Sequence, residues 1–428
     1  MKKIILSLSF LFLVAITLWA QDTTQVRQYI RDLSSKEMHG RGYAYNGDSI
    51  AAAYIADQFT RMGIENRYLP YGFSTYAMEG PVSAVLDKKA LIPWTDYALA
   101  PYSPSADSTY LLLPITPTIL MNEKALSTFQ KKHAQVLPHA LLYIDMTRAE
   151  GDPADITRWL QKLRLNPIIA ARGFVLGVKD IPVWSFNYAR KTFPYILAYV
   201  KADLIRKSSK QLQLSYTNRF DYHPTQDVIG IVPGTSNSDS IIIIGGHYDH
   251  LGQMGDAVLF PGAHDNASGT ATVLDMANYF KEHPLPYTTY FVLFSGEEAG
   301  LLGSFAFVDN PPVDLSKVKF MLNLDLLCGG DDGFTVVNSD GEGTKDFFNT
   351  LVSINEKEHL ATAVKPRKNT ANSDHYPFSK KGVPAVFIYV MGGHTGGYHQ
   401  PDDTNENASL SAYPGIFKLL VKGLESIH

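Results

Sequence analysis

Four consecutive isoleucines at 241–244, followed at once by Gly245-Gly246-His247-Tyr248-Asp249-His250, constrain the fold more than any other stretch of the chain. A short run that is apolar at every position has no face for water, so it reads as a strand buried on both sides of a sheet. Similar runs recur at 228–232, 290–294, 320–324 and 385–389, and residues 267–280 carry a helical pattern among them. Strands alternating with helices imply an α/β fold, here a three-layer α/β/α sandwich around a mostly parallel, mixed central sheet.

The rest of the chain organises around that unit. Residues 1–20 begin with Lys2 and Lys3, run apolar from Ile4 to Trp19 except for Ser7, Ser9 and Thr17, and end on Ala20. This is the pattern of a cleavable signal peptide, and the apolar stretch is shorter than the ~20 residues a spanning helix needs. A secreted or periplasmic protein, with no stable membrane insertion after cleavage, is the expectation. Residues 21–75 carry two helical segments joined by Gly40-Arg41-Gly42. Residues 76–222, punctuated by Pro81, Pro93, Pro101, Pro104, Pro114 and Pro117, read as an inserted domain of short strands and turns. Within it 181–186 reads as a strand and 189–204 as a helix with Pro194 near its start. Residues 223–428 hold the α/β sandwich.

Composition closes off some classes of function. The 38 basic and 42 acidic residues form no run of like charge, which argues against a nucleic-acid partner. Cys328 is the single cysteine and excludes an internal disulfide; it reads as a small buried apolar residue.

Most of the apolar runs end in side chains able to bind metal, and in open α/β sheets ligands bind at the carboxyl ends of the strands. After 241–244 come His247 and Asp249, an acid placed to accept the other ring N–H of the histidine. Alone, that pair fits a hydrogen-bonded surface histidine as well. Gly262-Ala263-His264-Asp265-Asn266-Ala267-Ser268-Gly269 opens a helix, where Asp265 is either a bridging ligand or a cap; His264 reads as a lining residue. Ser295-Gly296-Glu297-Glu298 sets two carboxylates side by side, a costly arrangement unless a cation neutralises one of them. Asn323-Leu324-Asp325 and Tyr398-His399-Gln400-Pro401-Asp402-Asp403 add a third acid and a second histidine. Two histidines and three acids suit two Zn²⁺ per chain, or Co²⁺ or Mn²⁺.

In this order the motifs resemble metallopeptidase family 28, the co-catalytic zinc aminopeptidases and carboxypeptidases. The resemblance implies that 223–428 is the metallopeptidase catalytic domain and that 76–222 is protease-associated-like. It implies His247, Asp265 and Asp325 on one metal and Asp265, Glu298 and His399 on the other. Glu297 becomes the general base, Asp249 the partner of His247, and the Asp265–Asn266 peptide bond cis. Tyr398 with the neighbouring glycines is expected in a pocket wall, and Asp374 on the substrate side or behind the ligands. The expected activity is an aminopeptidase acting on peptides. Three alternatives stand beside it: a dipeptidase or carboxypeptidase, for which Arg367, Lys368 and Lys380 are the nearby cations; a one-zinc glutaminyl cyclase; and a non-enzymatic binding module.

Overall fold

The computed structural model describes residues 23–148, 158–159, 168–186 and 191–427; the expected signal peptide lies outside them. In chain order the strands are β1 (Glu65–Leu86), β2 (Lys89–Ala90), β3 (Tyr97–Leu99), β4 (Ala106–Pro114), β5 (Ala140–Asp145), β6 (Gly173–Val178), β7 (Ile196–Lys201) and β8 (Gln211–Val232). They continue with β9 (Ile241–His247), β10 (Gln253–Met254), β11 (Val258–Leu259), β12 (Thr288–Phe294), β13 (Val318–Leu324), β14 (Phe334–Val337), β15 (Val364–Arg367) and β16 (Ala385–Val390). All but β10 and β11 join one sheet, ordered β15-β14-β16-β13-β9-β12-β8-β4-β5-β6-β7-β3, with β1 on β8 and β2 on β1.

The isoleucine run is the centre of one half of that sheet. β9 pairs in parallel with β12 on one side and β13 on the other, and β13 pairs in parallel with β16. Strand alternation sends Ile242 and Ile244 into a core with residues of helices Thr23–Leu33, Gly47–Arg61, Ser268–Glu282 and Tyr413–Glu425. Ile241 and Ile243 enter the opposite core with Phe307 and Phe378, from helices Leu302–Asp309 and His375–Lys380. Each isoleucine so buried stabilises the fold by about 1.5–3 kcal/mol. Helix Ser268–Glu282 presents Ala271, Leu274, Ala277 and Phe280 at helical spacing to the sheet. It ends before Pro284, whose ring disfavours helical backbone at His283.

A ribbon leads from this half into the other. β1 and β8, 22 residues each, pair antiparallel from Glu65↔Ile231 to Leu86↔Leu212, with a register shift between Glu79 and Ser83. Pro81, which has no N–H to donate, lies in that shift. The 75/76 and 222/223 junctions both fall inside the ribbon, so the sheet runs unbroken through them. Beyond it β4, β5, β6 and β7 are parallel neighbours. The two halves share a core in which Leu251, Phe260 and Ala299 meet Tyr97, Trp184, Phe186 and Leu214.

Two local expectations fail here. Residues 181–186 form no strand; the Trp184 N–H points to the His399 carbonyl at 3.5 Å rather than into a ladder. Of the expected helix over 189–204, residues 189–190 lie outside the described residues; the rest holds β7 at 196–201, followed by a short turn of 3₁₀ helix at 202–204. Ile196, Tyr199 and Val200 favour the pleated, buried environment between β6 and β3, and that tertiary context overrides the helical spacing.

Candidate metal centre

The carboxyl ends of β9, β12 and β13 point the same way, so His247, Glu297, Glu298 and Asp325 arrive at one edge of the sheet. Asp265 comes from the turn before helix Ser268–Glu282, where its peptide bond to Asn266 is cis. The Asn266 amide spans the His247 and Leu324 carbonyls at 3.2 and 3.0 Å, tying that turn to β9 and β13. Asp403 accepts the backbone N–H groups of His264 and Asp265 at 2.8 and 3.0 Å, which brings the loop bearing His399 onto the same turn.

The five ligand candidates converge, and Asp265 lies between two sides. Its Oδ1 is 3.5 Å from His247 Nε2, which is itself 3.3 Å from Asp325 Oδ1. Its Oδ2 is 3.2 Å from His399 Nε2, which is 3.3 Å from Glu298 Oε2. His399 Nε2 and Asp325 Oδ1 nevertheless make no hydrogen bond, although both are buried. Polar atoms that approach this closely without bonding one another are arranged about a shared point, as ligands of a cation are.

The tautomers support the same reading. Nδ1 of His247 faces the Asp249 backbone carbonyl at 3.1 Å, and Nδ1 of His399 faces the Trp184 carbonyl at 2.8 Å. A carbonyl only accepts, so each Nδ1 carries a proton and Nε2 is the nitrogen turned toward the carboxylates. Between Nε2 and the carboxylates a positive charge is required, either a proton on the ring or a metal cation. Burial opposes charging the His399 ring, yet Glu298 and Asp265 lift it to about 11. Burial likewise opposes charge on His247, while Asp325 and Glu297 raise it well above the usual range. The residues therefore fit metal cations.

Glu297 and Glu298 are adjacent in sequence and opposite in electrostatics. Burial, with Glu298, Asp374 and Asp325, pushes the half-buried Glu297 well above the ordinary carboxylate range. Burial acts on Glu298 too, but His399 and His250 hold it well below. Neighbouring carboxyls driven apart in this way can divide the roles of proton carrier and anionic ligand. Ligand atoms of His247, Glu297 and Asp325 also lie within 4.8 Å of one another, as do those of His250, Asp265 and Glu298. Those groupings exchange Glu297 for Asp265 and His250 for His399; the two-sided carboxylate of Asp265 favours the division above.

Asp249 does something other than expected. Its carboxylate is 3.7 Å from His247 Nδ1, beyond hydrogen-bond range, and the residue serves that ring through its backbone carbonyl. Oδ1 instead accepts the Glu297 N–H at 3.1 Å, and Oδ2 accepts the Tyr43 hydroxyl at 2.7 Å. Asp249 thus positions the Glu297-Glu298 turn. Asp374 is fully buried, accepts the Ser304 hydroxyl and is pushed by burial to about 7. It is not among the residues lining the cavity over the cluster. That cavity, of about 230 Å³, is lined by Glu297, Asp325, Arg367 and Tyr398 among others. The expected glycine wall is displaced: Gly392 and Gly393 pack on Asp332 and Asp331.

Three contributors lacked a sequence signal strong enough to single them out. His250 donates from Nδ1 to Glu298 Oε1 at 2.8 Å, fixing that carboxylate; its place three residues after His247 was the available clue. Arg41 is wholly buried and spends its guanidinium on the carbonyls of Leu33, Tyr248, Pro261 and Gly262 at 2.7 Å and of Asp265 at 3.2 Å. Its flanking glycine allows this approach, since a Cβ on Gly42 would lie 2.3 Å from Gly252 Cα. Trp184 acts through its carbonyl, which no residue type encodes.

A mostly parallel sheet with a buried carboxylate–histidine cluster at its carboxyl edge defines an α/β metallohydrolase. The sequence profile of peptidase family M28 matches residues 227–422. A probable leucine aminopeptidase of Trichophyton verrucosum is 32% identical over 280 residues, covering 57% of this chain and 68% of that protein. One of Arthroderma otae is 29% identical over 182 residues, or 41% of this chain; the chain spans only 50% of that protein's length. The fold is shared with a zinc aminopeptidase from Bacillus subtilis, at a TM-score of 0.70 and 19% identity over 93% of this chain and 94% of that one. It is shared also with a peptidase M28 precursor from Shewanella amazonensis, at 0.70 and 17% over 95% and 94%. The chain belongs to peptidase family M28.

Proposed function

We propose that this protein is a zinc-dependent aminopeptidase, secreted or periplasmic, that removes N-terminal residues from peptides. His247, Asp265 and Asp325 would hold one zinc, and Asp265, Glu298 and His399 a second. When bound, the pair of cations acidifies water and polarises the scissile carbonyl. Glu297, at the cavity wall with its proton affinity raised, takes the proton of the attacking water and returns it to the departing amine. Asp249 and Tyr43 hold the turn that aims it. His250 keeps Glu298 turned toward His399. The acidic cluster also suits a substrate's free α-amine, which restricts cleavage to the N-terminal residue. Residues 76–222 serve in this reading as an insertion that packs on the catalytic loops. The leader at 1–20 supports export, and among the described residues no helix is long and apolar enough to cross a membrane.

The observation that carries the proposal is the two-sided Asp265, one oxygen toward each histidine, beside a Glu297 left free for protons. The test is hydrolysis of aminoacyl anilides by zinc-loaded protein. Release from unblocked substrates and none from N-acetylated ones is expected. Cleavage of blocked substrates, or of neither, overturns it.

A further inference from the structure

We infer that Arg367 is the specificity-determining residue of the cavity and that it binds a carboxylate of the substrate, making short peptides that carry such a group the preferred substrates. The inference rests on the aminopeptidase reading of the same cavity. Arg367 closes β15 and lines the cavity together with Glu297 and Asp325. Its backbone is pinned to Ser339 by hydrogen bonds in both directions, at 3.1 and 3.2 Å. The guanidinium lies 5.8 Å from the centre of the Tyr389 ring and donates through one nitrogen to the Tyr389 hydroxyl at 3.1 Å. Those contacts engage one nitrogen of this exposed guanidinium at the rim of the cavity and leave its other donors available, in the fork geometry that matches a carboxylate. Among the described residues no ion pair engages it.

The charge pattern gives this cation a use. The cavity is also lined by Glu297, the acid left to carry protons, and by the ligand candidates His247, Asp265 and Asp325. Arg367 is the one lysine or arginine among the residues lining the cavity, so a substrate carboxylate that enters finds its cationic side chain there. At about 230 Å³ the cavity falls below the ~300–1,000 Å³ usual for ligand sites, which favours a small substrate. The carboxylate is either the C-terminus of a dipeptide or an acidic side chain.

Binding to zinc-loaded Glu297→Gln protein, in which turnover is blocked, tests this by titration calorimetry with Leu-Leu, Leu-Leu-amide and Leu-Asp-amide. A charge-assisted contact predicts that Leu-Leu, or Leu-Asp-amide, binds about tenfold more tightly than Leu-Leu-amide. Preference for the first assigns the contact to the C-terminus; preference for the second assigns it to a side chain. Adding Arg367→Gln should bring the three affinities together. Equal binding of all three before that change, or a preference that survives it, overturns the inference. Leucine release from Leu-Leu by the wild type is read separately, and its absence counts against the aminopeptidase reading alone.

Discussion

Both halves of the sheet lay parallel strands side by side, and both open hollows at the strands' carboxyl ends, yet those ends are furnished differently. Around β4–β7 the hollows are the larger, about 410 and 560 Å³, and share no lining residue with the cavity over the cluster. Their polar groups are spent locally: Asp145 accepts the Thr147 N–H and hydroxyl, and Lys201 pairs with Asp180. Around β9, β12 and β13 the acids and histidines are buried, and several of their atoms lack a partner. Parallel topology supplies the crevice in either half. The inserted half also buries atoms without partners, but they are hydroxyl and amide atoms, as of Tyr97, Tyr216 and Asn218; unsatisfied buried acids and histidines, which cost stability unless something binds, set the other half apart.

Single substitutions can break or sharpen this contrast. Replacing Glu297 with Gln should lower kcat by about 10²–10⁴, whereas Asp145→Asn should change it by less than about twofold, both read on an unblocked aminoacyl anilide. Comparable losses from the two would erase the distinction between the halves. Arg41→Met, which strands five buried carbonyls, should cost about 3–5 kcal/mol in urea unfolding. Lys201→Ala, at a more exposed ion pair, should cost at most about 1 kcal/mol.

Trp184 joins the halves, so it tests whether they are coupled. The Trp184 indole donates to the Leu99 carbonyl at 2.7 Å and stacks on Phe260, placing the carbonyl that orients His399. Trp184→Leu should weaken zinc binding at the site that includes His399 by about 10–100-fold, measured by chelator competition. An unchanged affinity would make the inserted half a bystander.

A further effect concerns acid. Burial lowers His375 to about 3, so between about 6.5 and 3 the unfolded chain binds a proton that the folded one refuses. Stability from this group is complete above that window and falls with pH by up to about 1.4 kcal/mol per unit. His375→Asn should flatten the acid limb of a stability–pH curve; an unaltered slope would assign the sensitivity elsewhere.

The contrast also explains what was legible beforehand. The apolar runs at 241–244, 290–294 and 320–324 are buried on both faces, so composition alone located their strands and the side chains beyond them. The Glu297-Glu298 adjacency was informative because its electrostatic cost is local. In the inserted half the strand at 196–201 carries helical spacing, and what makes it a strand, its neighbours β6 and β3, lies elsewhere in the sequence. Arg41 sits in a glycine turn with no local signal of its role, since five carbonyls outside that turn define it. Asp249 was expected to meet His247 with its carboxylate, but the turn brings its carbonyl there instead.

Counting zinc by elemental analysis on the purified chain, with Asp265→Ala alongside, bears most directly on the two-sided carboxylate. The account predicts two equivalents per wild-type chain and fewer than two in the variant, because one side chain serves both ions. A single equivalent in the wild type, or two retained without Asp265, would contradict it.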